Sequence, residues 1–212
     1  MDTVIWESIG ILICLIGSAF FSSSETALTS LSGPQTQKMV EDGASRSLQL
    51  WLDHPIKVLT AILIGNNILN ITASALATDL ANRLLEGTSA AAWAIPVAVG
   101  VMTFLLLTFG EITPKAIAKK MYKQVAAPMM ILLQVPYILF YPATLVFSQM
   151  TRRIMTWLGN DPSQKAPFVT AEEIEYMIDL GSREGTFSED RERMLRSVFE
   201  FNDTMIREIM VP

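Results

Sequence analysis

Three stretches of this chain, residues 5–21, 56–85 and 90–121, are too long and too apolar to be ordinary core helices. Crossing a ~30 Å hydrocarbon core takes about twenty apolar residues. No water is available there to pair with backbone N–H and C=O groups, so such segments must be helical or close into a barrel. Their lengths suit helices. The expected fold class is an all-α membrane protein with three transmembrane helices, interfacial juxtamembrane helices and a cytoplasmic acidic helical bundle. The opening Met-Asp-Thr-Val-Ile-Trp-Glu lacks the Lys/Arg region of a secretory signal, so the first stretch is expected to be retained.

Polar residues interrupt the three spans at informative places. The first runs into Ser22-Ser23-Ser24-Glu25-Thr26. Small residues let helices approach closely, which is one reading. A polar pocket is the other, and three hydroxyls with a carboxylate exceed what packing needs. The second span holds Gly65-Asn66-Asn67-Ile68-Leu69-Asn70. Asn66 and Asn70 share a face at i,i+4, and Asn67 lies close to Asn70 at i,i+3. Either the amides bond to neighbouring helices or their oxygens point at an ion. The third span ends in Phe109-Gly110-Glu111-Ile112-Thr113-Pro114-Lys115. Pro114 supplies no N–H and crowds the preceding turn, which frees a carbonyl near Gly110. Gly110 has no side chain to shield that carbonyl. Carboxylates at membrane depth are rare and mark ion or substrate paths. The plainer reading is a kinked helix end whose Glu111 reaches interfacial water. Asp79 and Arg83 read as an interfacial pair, Lys115 as structural or snorkelling, and Cys14 as packing or lipid-facing.

Lys/Arg placement sets the expected orientation. Lys38, Arg46 and Lys57 follow the first span, and Lys119, Lys120 and Lys123 follow the third. Basic loops stay cytoplasmic, so the N-terminus is expected outside and the C-terminus in the cytoplasm, in a cell (inner) membrane. Residues 125–151 are apolar too, but basic residues flank both ends and Pro128, Pro136 and Pro142 interrupt them. They are expected to lie in the inner interface; a fourth span is the alternative. The expected domains are therefore 1–124, 125–158 and 159–212. Up to Leu158 there are ten Lys/Arg and nine Asp/Glu; beyond it there are six and twelve. In that acidic part Thr170-Ala171-Glu172-Glu173 reads as a capping box. The helix it opens carries Ile174, Met177, Ile178 and Leu180, is broken at Gly181 to Gly185, and is followed by a helix capped by Ser188. Two such amphipathic helices bury little alone and imply a partner.

One cysteine and one histidine exclude a disulfide framework and a His/Cys metal cluster. No Ser–His pair, zinc motif, phosphate loop or basic patch with aromatics is present, so neither an enzyme nor a nucleic-acid binder is expected. Antiparallel packing of three spans lets the serines, the asparagines and Gly110-Glu111 meet in the inner half of the bilayer. The candidate ligands are Ser22, Ser23, Asn66, Asn67, Asn70, Gly110 and Glu111. Hydroxyl, amide, carbonyl and carboxylate oxygens suit Mg²⁺ or Ca²⁺ over Zn²⁺ or Cu²⁺, and Na⁺ fits the same chemistry. The acidic C-terminal part reads as a sensor of cytosolic Mg²⁺ or as a solvated surface.

The ordered motifs Phe20-Phe21-Ser22-Ser23-Ser24-Glu25-Thr26-Ala27-Leu28, Gly65-Asn66-Asn67 and Gly110-Glu111-Ile112-Thr113-Pro114-Lys115 resemble the transmembrane domain of the CorC/CNNM (cyclin M-like) proteins. Glu184-Gly185, Val198-Phe199-Glu200-Phe201 and the ending Ile209-Met210-Val211-Pro212 resemble the segment before that family's CBS pair. The resemblance implies a homodimeric Mg²⁺ transporter that exports Mg²⁺ against Na⁺ entry. It implies an ion held between the serine run, the Asn pair and Gly-Glu, with Glu25 outside the ligand set or at the interface. It also implies ATP binding only through CBS domains, which this chain lacks. The ligand among Ser22, Ser23 and Ser24 stays open; adjacent helix positions point about 100° apart, so not all three can serve. A membrane anchor with a Mg²⁺-sensing role is the alternative to transport.

Overall fold

The computed structural model describes residues 2–43, 46–158 and 171–183, with positions 185, 188, 190, 191, 193–195 and 197. Every regular element among them is helical. The first, α1, is Asp2–Thr29. Short helices α2 (Gly33–Glu41) and α3 (Ser47–Asp53) follow. Gly33-Pro34 opens α2, since Ser32 and Gln35 form a reciprocal capping box there. Helix α4 is Pro55–Leu85, with proline in its first turn, where the missing N–H costs nothing. The third long segment is composite: a 3₁₀ turn at Ala91–Trp93, α5 (Ala94–Leu105), a π-helical turn at Leu106–Ile112 and α6 (Thr113–Lys120). Helix α7 is Tyr122–Trp157 and α8 is Ala171–Arg183.

Among the described residues four segments are long and apolar enough to cross a membrane, where the sequence pattern favours three. The additional one is α7. In place of several short juxtamembrane helices there is one 36-residue helix with Pro128, Pro136 and Pro142 inside it. Ending a helix in apolar surroundings strands more backbone groups than one missing N–H does, so the helix continues through its prolines.

The chain divides into two compact units, 1–162 and 163–212. In the first, α1 and α4 pack antiparallel with small residues at the contact. Gly10 faces Leu76, Gly17 faces Leu69, and Gly65 lies under the Phe21 ring. Gly17 and Gly65 allow this approach: a β-carbon on Gly17 would sit 2.5 Å from Leu69, and one on Gly65 would strike the Phe21 ring. Two dry clusters result. The basal cluster, at the end carrying α2 and α3, joins Phe21, Ala27, Leu28, Leu48, Trp51, Val58, Ile62 and Ala118. The distal cluster joins Cys14, Ala73 and Met102. The pair Asp79–Arg83 is also larger than the sequence suggests. Arg83 reaches Glu7 of α1 at 3.1 Å as well as Asp79 at 3.0 Å, tying α1 to α4 distally.

Helix α7 belongs to the basal cluster alone. Ala126, Met130, Leu133 and Tyr137, spaced on one face, all bury there. Gln134 donates to the Ser47 hydroxyl of α3 at 2.6 Å, and Lys57 sits over the Tyr141 ring at 5.7 Å. Ala126 to Tyr141 covers about 22 Å of helix at 1.5 Å per residue. Over that length its partners stay at the end where α1 finishes and α4 begins. On the outer faces Trp6, Ile13, Ile16, Ile71, Val101, Phe104, Val135 and Ile138 are exposed. Apolar surface on that scale is foreign to a soluble monomer and is the lipid-facing or partner-facing coat of a multi-pass membrane protein.

In the second unit α8 runs through Gly181 and ends at Arg183, beyond the expected break; the positive φ of 73° falls at Gly185. Ile178 is buried, while Ile174, Met177 and Leu180 are exposed. Thr170, Glu184 and the residues from Val198 onward lie outside the described residues.

Packing at Gly65 generates a test. Overfilling a tight core costs about 1–3 kcal/mol, against about 1 kcal/mol of helix propensity gained by replacing glycine with alanine. Gly65→Ala is therefore expected to lower the thermal midpoint in detergent. Phe21→Leu added to it is expected to recover most of the loss. A raised midpoint in the single variant would contradict the tight contact.

Candidate functional site

The site forms where three helices pass between the two dry clusters. On the third segment, Pro114 has no N–H to return to the Gly110 carbonyl, and the backbone widens into a π turn in which Thr113 N–H bonds to Thr108 O. Gly110 is buried, and a β-carbon there would stand 2.9 Å from the Ser18 hydroxyl. Only glycine lets α1 approach this carbonyl without a shift.

Ser18 is the centre of the arrangement. Its hydroxyl donates to Asn66 Oδ1 at 2.9 Å and lies 3.4 Å from Gly110 O. One hydroxyl proton serves the shorter bond, so the carbonyl oxygen keeps lone pairs facing the same point. Hydroxyl, amide and backbone oxygens from α1, α4 and the π turn thus converge. Ser22, one turn along α1 from Ser18, is fully buried and its oxygen has no hydrogen-bond partner among the described residues; Asn70 Oδ1, one turn along α4 from Asn66, is likewise buried and unpaired among them. A buried polar atom left unsatisfied costs about 1–3 kcal/mol, and an ion is one of the standard reasons for tolerating it. The donor set fits a hard cation: all oxygen, with neither thiolate nor imidazole. Among the described residues no three His, Cys, Asp or Glu side chains group as a metal cluster.

The expected ligands separate by position. Asn66 and Gly110 are at the centre; Ser22 and Asn70 flank it along the same two helices. Ser23 is half-buried. The hydroxyl of Ser24 turns back onto Phe20 O at 2.7 Å. Asn67 is exposed, with its amide donating to Leu63 O of its own helix at 2.9 Å, so it does not join the others. Glu111 lies beside Gly110, but its carboxylate is paired with Lys115 at 3.4 Å. The same ammonium reaches Glu25 of α1 at 3.2 Å. Lys115 is therefore a bridge between two carboxylates on different helices. Pairs exposed to this degree add little stability. Ser18 is the residue that sequence reading missed. It sits in an apolar run, and the signal was its i,i−4 relation to Ser22.

Comparison with known proteins places these residues in a wider group. The family profile described as "Cyclin M transmembrane N-terminal domain" matches residues 9–192. A UPF0053 protein of Haemophilus influenzae is 31% identical over 204 residues, covering 95% of this chain and 47% of that protein. A chloroplastic DUF21 domain-containing protein of Arabidopsis thaliana is 32% identical, over 95% of this chain and 30% of its own length. The UPF0053 inner membrane protein YfjD of Escherichia coli is 31% identical, over 92% of this chain and 45% of that protein. The chain thus spans about half or less of the length of these relatives. With the family profile matched across most of its length, the chain belongs to the cyclin M transmembrane-domain family of membrane proteins.

Proposed function

We propose that this chain moves Mg²⁺ across a cell (inner) membrane as a homodimer, exporting it from the cytoplasm against Na⁺ entry. The observation that carries this reading is the convergence of Ser18, Asn66 and Gly110 oxygens from three helices around a π turn. Mg²⁺ takes oxygen ligands at about 2.0–2.1 Å in near-octahedral geometry and gives up water reluctantly. Ser22 and Asn70 supply further oxygens, and Glu111 supplies the charge. Family membership supports a membrane role. Direction, Na⁺ coupling and dimerisation rest on the resemblance in the motifs. The competing reading is an anchor in which these oxygens only brace the bundle. It draws on the Ser18–Asn66 bond, which satisfies both groups without an ion.

Transport is read with the N-terminus outside, the C-terminus cytoplasmic and α7 lying along the inner interface. The basal residues Lys57, Lys119, Lys120 and Lys123 favour that side for the cytoplasm. The burial of Ala126 to Tyr137 wholly within the basal cluster favours a helix that crosses the bundle end. In a Cys14→Ser background, Met121→Cys and Trp157→Cys are then expected to react with an impermeant maleimide from the same, cytoplasmic, face. Reaction of position 157 from outside would make α7 a fourth span.

Flux separates transporter from anchor. Liposomes holding the chain are expected to show Na⁺-gradient-dependent Mg²⁺ movement that Glu111→Ala abolishes without dissolving the dimer. Ser18→Ala is expected to weaken Mg²⁺ binding about tenfold, roughly 1.4 kcal/mol, whereas Asn67→Ala leaves it within twofold. Equal loss from Asn67→Ala and Ser18→Ala would contradict the placement of the site. Mg²⁺ binding with no flux in the full-length protein would favour the anchor.

A further inference from the structure

The ion pairs around Lys115 do more than neutralise charge. One ammonium lies 3.2 Å from Glu25 Oε2 and 3.4 Å from Glu111 Oε1. All three side chains are about two-thirds covered, at 35%, 27% and 36% exposure. Glu111 is joined through the backbone to Gly110, whose carbonyl faces Ser18. It is the acidic residue next in sequence to the cluster, and an ammonium already holds one of its carboxylate oxygens.

A divalent ion and an ammonium cannot share that carboxylate without cost. Their repulsion acts over a few ångströms, in surroundings where the effective dielectric is far below that of water. Lys115 has somewhere to go. Glu25 is on another helix, at bonding distance from the same nitrogen, so withdrawal from Glu111 leaves the ammonium paired. The buried, unpartnered Ser22 oxygen stands one turn from Glu25 and shares a helix face with Ser18.

We propose that Lys115 is a tethered counter-cation that alternates with Mg²⁺ on Glu111, and that Glu25 holds it while the ion is bound. This rests on the reading of the Ser18–Asn66–Gly110–Glu111 cluster as the Mg²⁺ site. Lys115 is then a positioning residue: it sets how tightly the ion is held and replaces it at release. Without it the emptied Glu111 carboxylate and Glu25 would be left with no cation between them.

The experiment is Mg²⁺ titration calorimetry on the full chain in nanodiscs, paired with Mg²⁺ flux. A competing internal cation predicts that Lys115→Met tightens Mg²⁺ binding about tenfold, the usual scale of coupling between two ligands. Lys115→Arg, which keeps the charge, is expected to bind like the unaltered chain. Glu25→Gln removes the holding partner, leaves Lys115 on Glu111 and is expected to weaken binding by a similar factor. In the Lys115→Met background the same Glu25→Gln change is expected to do nothing. In flux, Lys115→Met lowers both KM and kcat, because release loses its replacement cation. A purely structural ion pair would instead weaken or preserve binding in Lys115→Met, and that result overturns the proposal. The underlying site fails separately: Glu111→Gln binding Mg²⁺ as tightly as the unaltered chain, or no binding by the unaltered chain, removes the site itself and the proposal with it.

Discussion

Hydrocarbon offers a backbone no partners, so every helix in this bundle must pair its own N–H and C=O groups. One exception organises the candidate site. At Leu106–Ile112 the ladder slips into a π turn, Pro114 withholds an N–H, and Gly110 presents its carbonyl to α1 instead of hiding it. Such an exposed oxygen is tolerated only against protein or a polar cavity. The close approach of Ser18 to Gly110 goes with it.

The span pattern foresaw a multi-pass helical membrane chain and the resemblance foresaw its family, while the polar residues inside the bundle were legible to different degrees. Gly110, Asn66 and Ser22 were legible because a glycine next to a carboxylate before proline, or polar amides inside an apolar run, have no easy packing explanation. Ser18 was not legible, since one hydroxyl among Gly17 and Ala19 is an ordinary helix contact until its partner is known. Asn67 stands apart from the cluster in the structure. Its neighbours share its chemistry, but one helical step turns it away by about 100° and its amide caps its own backbone at Leu63. No sequence pattern separates such a self-satisfied amide from a ligand.

Helix α7 illustrates a different limit. Apolar composition and basic flanks gave conflicting signals, and proline content argued for breaks. The helix nevertheless runs unbroken from Tyr122 to Trp157, because continuity satisfies more backbone than interruption does. What composition could not register is tertiary: Ala126, Met130, Leu133 and Tyr137 form a stripe that matches the basal cluster. Equally, Arg83 paired with Asp79 was readable at i,i+4, but the reach to Glu7 depends on α1 lying alongside α4.

The glycines on the helix contacts have a mechanical consequence. Gly17 and Gly65 bring α1 and α4 together at nearly the level where Gly110 meets Ser18. Above and below that level lie separate apolar clusters, linked through Leu69. With Gly10 against Leu76 as well, the close approach runs along most of the α1–α4 contact and leaves the two helices little room to slide past each other. α1 and α4 are thereby coupled as one body, fastened at the distal end by the clasp of Glu7, Asp79 and Arg83.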